Sequence, residues 1–249
     1  DIISAFKKES TSWGDVIQSV FSNAIYSFLE SSHGGTLIEL KRFLIEEEYR
    51  NKYLTTIDDE QLRYYWKHEF PLLKRSNIAP LLTRIDTFLR SKIIRNVLAQ
   101  KDGINISECI ESRKIVLIKL AQGAIGEENS RILGTLFLSK IYQAVLSRQR
   151  IPQEKRHFIG CYIDECHNYI TTTITQMLSG GRKFGVGLHL AHQNFQQLKS
   201  EFIQTINTNT YIKIFFRLGH HDTETARKLF EHFSDDDFQN LKKGEAIIR

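Results

Sequence analysis

The sequence predicts an α/β fold with a mostly parallel sheet over residues 113–249, preceded by an all-α subdomain over 1–112. Three observations carry that reading. Apolar residues before about residue 112 recur at helical spacing, as in Trp13, Val16, Ile17, Val20, Phe21, Ala24, Ile25, Phe28 and Leu29. After Lys114 the pattern changes to four short apolar runs, Ile115–Leu120, Phe158–Ile163, Val186–Ala191 and Tyr211–Phe216. These runs do not alternate polar and apolar residues, which suits strands buried on both faces, and helical stretches separate them in a βαβ rhythm.

In chain order, the stripe from Trp13 to Leu29 makes the first helix, and Gly34-Gly35 stops it. Thr36-Leu37-Ile38-Glu39 has the spacing of a capping box and starts the next. Asp58 is placed to cap a helix carrying Leu62, Tyr65 and Trp66. A further helical stretch follows Pro71 through Leu82, Ile85 and Leu89, with Pro80 bending or restarting it. In the second part helices are expected over 127–148, 172–180, 201–207 and 223–233. The acidic triplets Glu46–Glu48 and Asp235–Asp237 read as solvated helix ends.

Composition bounds the function classes. At 249 residues, with 41% hydrophobic and 25% charged residues, the chain is an ordinary globular one. It has no apolar run of membrane-spanning length and no signal-peptide core at its start. Three cysteines, Cys109, Cys161 and Cys166, make neither a disulfide framework nor a zinc ribbon. The sole methionine is Met177 and the first residue is Asp1, so the sequence reads as a piece of a longer or processed chain. A net charge of +5 favours an anionic partner only mildly.

The chemistry concentrates after the second apolar run. Ligands of α/β sheets gather at the carboxyl ends of strands, and Phe158–Ile163 ends in Asp164-Glu165. An apolar strand ending in Asp-Glu is the Walker B pattern, in which the first carboxylate holds nucleotide-bound Mg²⁺ and the second orients the attacking water. The next strand ends at His192-Gln193, which brings Gln193 to the same edge if the strands are neighbours. A glutamine there is suited to bind a γ-phosphate or a water. Between the two strands, the Gly180-Gly181-Arg182-Lys183 turn offers Arg182 as a guanidinium for phosphoryl charge; its plainer reading is a helix stop.

Competing motifs are poorer. Asp164-Glu165-Cys166-His167 spells a DECH helicase box, but the next strand ends in Ala191-His192-Gln193 and too few residues remain for a second domain. That leaves His167 as a helix-start residue. Next to His220-His221, Asp222 reads as a helix N-cap rather than a metal ligand. Tyr64, Tyr65 and Trp66 could stack on single-stranded DNA, but read more simply as helix-face packing.

The stretch FIGCYIDECHNYITTTITQMLSGGRKFGVGLHLAHQNFQQL, residues 158–198, resembles the ATPase core of TraG/TraD-type conjugative coupling proteins. These belong to the HerA/FtsK superfamily of RecA-like motor ATPases. The resemblance extends upstream to SWGDVIQSVFSNAIYSFLE and KIVLIKLAQGAIGEENSRILGTLFLSKIYQA, and downstream to YIKIFFRLGHHDTETARKLF. It implies a RecA-like P-loop core with an all-α insertion, ATP and Mg²⁺ as cofactors, and a hexameric ring that moves DNA or serves a secretion channel. Conjugation or secretion machinery at the membrane would be its partner, with a cytoplasmic location and an inner-membrane tether outside this chain. It also implies Asp164 and Glu165 as Walker B, Gln193 as phosphate sensor and Arg182 as arginine finger, with Arg217 the competing arginine. One departure stands out: no GxxxxGK[ST] occurs in the 249 residues. Gly123-Ala124-Ile125-Gly126-Glu127 is no substitute, because its acid would repel a phosphate. In the family the P-loop precedes the helical insertion, so it is expected upstream of Asp1. The alternatives are a secretion-channel ATPase that does not act on DNA, and a catalytically silent ring subunit.

Overall fold

The computed structural model describes residue 3, residues 13–100 and residues 102–249. The chain divides into two compact units, residues 1–105 with 117–136, and residues 106–116 with 137–249. The boundary expected near residue 112 falls inside the exchanged stretch.

The first unit is helical. Helix α1 (Asp15–Glu30) buries Ile17, Val20, Phe21, Ala24 and Phe28, the i, i+3, i+4 stripe of its sequence. Helix α2 (Leu37–Ile45) begins with the expected capping box: Thr36 and Glu39 bond each other's ends of the first turn. Helix α3 (Glu47–Leu54) follows, and α4 (Glu60–Tyr64) is capped by Asp59, not Asp58. The Asp59 carboxylate accepts from the amides of Gln61 and Leu62 at 2.8 and 3.1 Å, the reach of a residue immediately before the first turn. Helix α4 runs into a π-helical turn, Tyr65–Glu69. Helix α5 (Arg75–Arg90) keeps Pro80 inside one continuous element, and α6 (Lys92–Leu98) follows it. The core closes on aromatic contacts: Phe28 stacks on Tyr53 with centroids 4.7 Å apart, and Phe43 meets Trp66 edge-on at 4.8 Å. Truncating a fully buried ring such as Phe43 to alanine typically costs about 3–5 kcal/mol.

The second unit carries the sheet. Helix α7 (Ile106–Glu111) belongs to it, α8 (Gln122–Ile125) belongs to the first unit, and α9 (Glu127–Ser147) has its first half in the first unit and its second half in the second. Strand β1 (Ile159–Ile163) pairs in parallel with β2 (Val186–Leu190), from Ile159 opposite Val186 to Ile163 opposite Leu190. Helix α10 (Thr172–Gly180) makes the crossover between them. Val145, Met177, Phe184 and Val186 form the core on one face of this pair, with Ile159 and Leu188 against it. Buried Arg148 ties the region together, donating to the carbonyls of Phe184 and His157 at 2.8 and 2.9 Å and lying 3.0 Å from Glu111. Gly185 at φ +77° passes so close that an added Cβ would sit 3.1 Å from the His157 carbonyl. Helix α11 (Ser200–Asn209) leads to β3 (Ile214–Phe215), then α12 (His220–Leu229), α13 (Asp235–Gln239) and β4 (Ile247–Ile248).

The four expected parallel strands are therefore corrected to one parallel pair. The Ile115–Leu120 run pairs with no strand among the described residues, and Ile115 and Leu117 are 90% and 89% exposed. The Tyr211–Phe216 run contributes only two strand residues, and these pair antiparallel with β4. Apolar, β-branched sequence signals a wish for burial; a strand exists only where a neighbour supplies its ladder bonds. No helix among the described residues is long and apolar enough to cross a membrane.

Candidate functional site

Parallel pairing puts the ends of β1 and β2 at one edge. The ladder continues past both strands, with the Ala191 amide bonded to the Ile163 carbonyl at 3.0 Å and the Cys166 amide to the Ala191 carbonyl at 2.9 Å. This registers Asp164-Glu165 against His192-Gln193. Gln193 Nε2 donates to Glu165 Oε1 at 2.5 Å, so the two residues meet across the edge. Asp164 is exposed, and its Oδ1 accepts from the Glu165 amide at 3.0 Å.

Glu165 has φ +48° and ψ +45°, the left-handed region, where a residue with a Cβ is strained by about 1–2 kcal/mol. Such strain gathers at functional sites. The turn throws the carboxylate back over the strand ends instead of letting a helix begin there. Its second oxygen, Oε2, is buried without a hydrogen bond, 3.3 Å from a likewise unbonded His167 Nδ1. His167 lies in the 3₁₀ turn Cys166–Tyr169, facing this carboxylate. Burial pushes His192 below the ordinary histidine value, so its imidazole is neutral at pH 7. Burial, then the Glu165 charge, pushes the Cys166 thiol up to about 11.

Asp222 was not legible as a site residue. It is not the cap of α12; it sits in the first turn, is buried, and accepts the Phe195 amide at 2.9 Å. Asn194 accepts from the Gln197 amide at 3.1 Å. Together they brace the turn that carries Gln193. The signal that could have found Asp222 is that a helix opening Gly-His-His-Asp has a second place for its acid, three residues in, where the carboxylate is free to turn to a neighbouring loop. His220 and His221 are exposed, and no metal-binding group of three exists among the described residues.

Arg182 is exposed in the turn Gly181–Phe184, before β2 begins, and so at the opposite end of the strands from Glu165. Five strand residues separate the two ends, roughly 16 Å. Within one chain, Arg182 is not brought to the carboxylates. Arg217 is exposed just after β3. A groove of about 880 Å³ runs past Arg182, Val186, Leu190, Asp164 and His192, with Phe195 and Tyr211 in its walls. Its lining is largely apolar, and it holds no phosphate-binding loop.

These residues fit one half of a Mg·nucleotide. An orphaned carboxylate oxygen on Glu165 and the exposed carboxylate of Asp164 are the hard oxygen donors that Mg²⁺ and its waters take. No GxxxxGK[ST] phosphate-binding sequence occurs in the 249 residues.

The C-terminal family described as the TraM recognition site of TraD and TraG matches residues 159–244. Over residues 159–244 the chain is similar to TraG/TraD-type proteins. This bears out the resemblance read from Asp164-Glu165 and its surroundings. The matched segment begins at β1 and ends before β4, so it contains every site residue named above. No curated protein sequence matches the chain. Among solved structures, a bacterial conjugative coupling protein, TrwBdeltaN70 in its unbound monoclinic form, is similar over 99% of this chain. The TM-score is 0.65 at 13% identity, a likeness of fold. The chain spans 64% of the length of that structure.

Proposed function

We propose that this chain is the Walker B part of a RecA-like, ATP-driven coupling ATPase that moves DNA in conjugation or a type IV secretion-like system. The observation that carries the reading is the Glu165–Gln193 contact across a parallel strand edge, with Glu165 held in a strained left-handed turn. ATP and Mg²⁺, when bound, supply the phosphoryl group and its charge neutralisation. Asp164 is the residue placed to hold the ion through its exposed carboxylate. Glu165 orients the attacking water and takes its proton. Gln193 fixes the Glu165 carboxylate and offers its amide to a phosphate oxygen or that water. Braced by Asp222 and Asn194, it reports the state of the site to the 192–198 turn. Arg182, remote from its own carboxylates, acts on a neighbouring subunit of a homohexameric ring, with Arg217 as the competing donor.

A protein partner is a second reading for the same segment. The family's description names TraM recognition, and the sheet face carrying Tyr162 and His189, stacked at 4.2 Å, is exposed. A TraM-like relaxosome protein is the partner this favours.

The test uses a coupling protein that contains this chain together with a phosphate-binding loop. Glu165→Gln should keep nucleotide binding and slow hydrolysis by about 10²–10⁴-fold, the usual worth of a positioned acid–base group. Asp164→Asn should mainly weaken the Mg²⁺-dependent part of binding. Equal and mild effects from both substitutions would leave the pair as strand-end acids and sink the reading.

A further inference from the structure

Two polar atoms beside the strand edge face each other without a bond. Glu165 Oε2 and His167 Nδ1 are both shut off from solvent, lie 3.3 Å apart, and have no hydrogen-bond partner. Folded proteins leave few such atoms, because a buried polar group without a partner loses its hydration and gains nothing back. A donor and an acceptor within reach of each other account for both orphans at once. An ionised carboxylate oxygen only accepts, so the hydrogen has to come from the imidazole. A bare Nδ1 would set its lone pair against the carboxylate charge.

The backbone explains why His167 is there. The Cys166 amide is held by the Ala191 carbonyl at 2.9 Å, and the Asn168 amide by the Glu165 carbonyl at 3.0 Å. In the 3₁₀ turn Cys166–Tyr169, residues three apart lie one above the other, so Cys166 and Tyr169 share a side, and both are buried. His167 is off that side, and its ring lies beside the carboxylate that the left-handed backbone of Glu165 has turned over the strand ends. The separation is within reach of a hydrogen bond though not aligned for one. The end torsion of a glutamate is soft, so a small rotation of the carboxylate aligns it. His192, the other histidine of this edge, has its Nδ1 against the Asn194 carbonyl at 3.2 Å, so that nitrogen is already used.

We infer that His167 is a positioning residue for Glu165: its Nδ1–H holds Oε2 and fixes the carboxylate from the side that Gln193 does not reach. Gln193 occupies Oε1 from the neighbouring strand. When that amide turns to a phosphate oxygen or a water in the proposed reaction, its hold on Glu165 is released, and His167 is the contact that remains. A carboxylate oxygen has two lone pairs, so Oε2 accepts from His167 and still faces a water. The effect on hydrolysis rests on the reading of Glu165 as the water-orienting carboxylate; the hydrogen on Nδ1 does not.

Two measurements keep these parts separate. In the 249-residue chain without nucleotide, long-range proton–nitrogen NMR spectra at about pH 8, above the ordinary histidine value, read which ring nitrogen carries hydrogen. His167→Gln assigns the His167 signals by removing them. Nδ1 of His167 should carry hydrogen; a bare Nδ1 would overturn the inference. The second measurement uses a coupling protein that contains this chain together with a phosphate-binding loop. There His167→Leu should lower kcat about 10–100-fold, the worth of a hydrogen bond to a charged group, with KM for ATP within about 2-fold. His167→Gln, whose amide also donates, should bring kcat back to within about 5-fold of the unsubstituted protein. On a Glu165→Gln background His167→Leu should remove no more than about 2-fold further, because no carboxylate is left to position. Equal losses from the two His167 substitutions, a change in KM as large as that in kcat, or a full additional loss on Glu165→Gln would each overturn the inference. A mild effect of Glu165→Gln sinks the carboxylate reading, whereas a severe one beside a bare Nδ1 sinks this inference alone.

Discussion

Asp164, Glu165 and Cys166 are consecutive, yet the fold gives them three different environments. The first is exposed, the second is turned back by a left-handed backbone, and the third is buried between them and the core. Residue type alone predicts a carboxylate pair and a small apolar filler; the differences come from a single backbone angle at Glu165. Cys166 reports on that arrangement. Its thiol value of about 11 means that almost no thiolate exists at pH 8, and burial denies reagents access as well. Mass spectrometry after iodoacetamide treatment at pH 8 should find Cys109, which is partly exposed, alkylated well before Cys166. Comparable rates would mean that the turn opens readily in solution. Arg148 makes the complementary point: it stands at the end of the helix expected over 127–148, but the structure buries it and spreads its two terminal nitrogens over two carbonyls, where lysine would bring a single nitrogen.

Helix starts were the most legible elements, because a cap is a local interaction between residues three apart. The Thr36–Glu39 box is present as its spacing predicts. Burial pushes the Glu39 carboxyl up, but the hydroxyl and amide of Thr36 donated to it outweigh that and hold it below the usual carboxylate range. A carboxyl lowered on folding adds stability that is fully present above its unfolded value and disappears as the pH falls through its folded one. Thr36→Ala should therefore cost about 1 kcal/mol at pH 7. That difference should shrink as the pH drops below about 4, the unfolded glutamate value. A destabilisation that stays constant from pH 7 to pH 3, in urea titrations of both proteins, would assign the effect to helix propensity instead. Strands were less legible for the opposite reason. Val186–Leu190 found a partner 27 residues upstream in β1, whereas Ile115–Leu120, equally apolar, has none among the described residues. The information that separates them is not in either run.

At the scale of the molecule, the site and the groove beside it define what the chain does alone. Asp164 and Glu165 present carboxylate oxygens at the strand edge, and no GxxxxGK[ST] occurs in the 249 residues. A metal-side half-site without backbone amides aimed at the phosphates should bind nucleotide weakly. Calorimetry on the chain should find no Mg·ATP binding in the micromolar range, while circular dichroism shows the mixed α/β fold. Micromolar affinity would place the nucleotide somewhere other than beside Asp164 and Glu165.

What the sequence determined by itself was local: the amphipathic stripe of α1, the capping box of α2, the β1–α10–β2 rhythm and the Asp-Glu at a strand end. Each follows from side-chain periodicity or from contacts a few residues apart, which the chain encodes directly. Tertiary structure alone decided the long-range matters. It paired β1 with β2 in parallel and so delivered Gln193 to Glu165, 28 residues away. It left Arg182 at the far end of the same strands, moved Asp222 from a cap to a brace, and sent Tyr65 and Trp66 inward while Tyr64 stayed out. The reason is common to all four. Register, strand partnership and the direction of a helix face are set by which surfaces bury each other, and that depends on the whole packed unit rather than on any one segment.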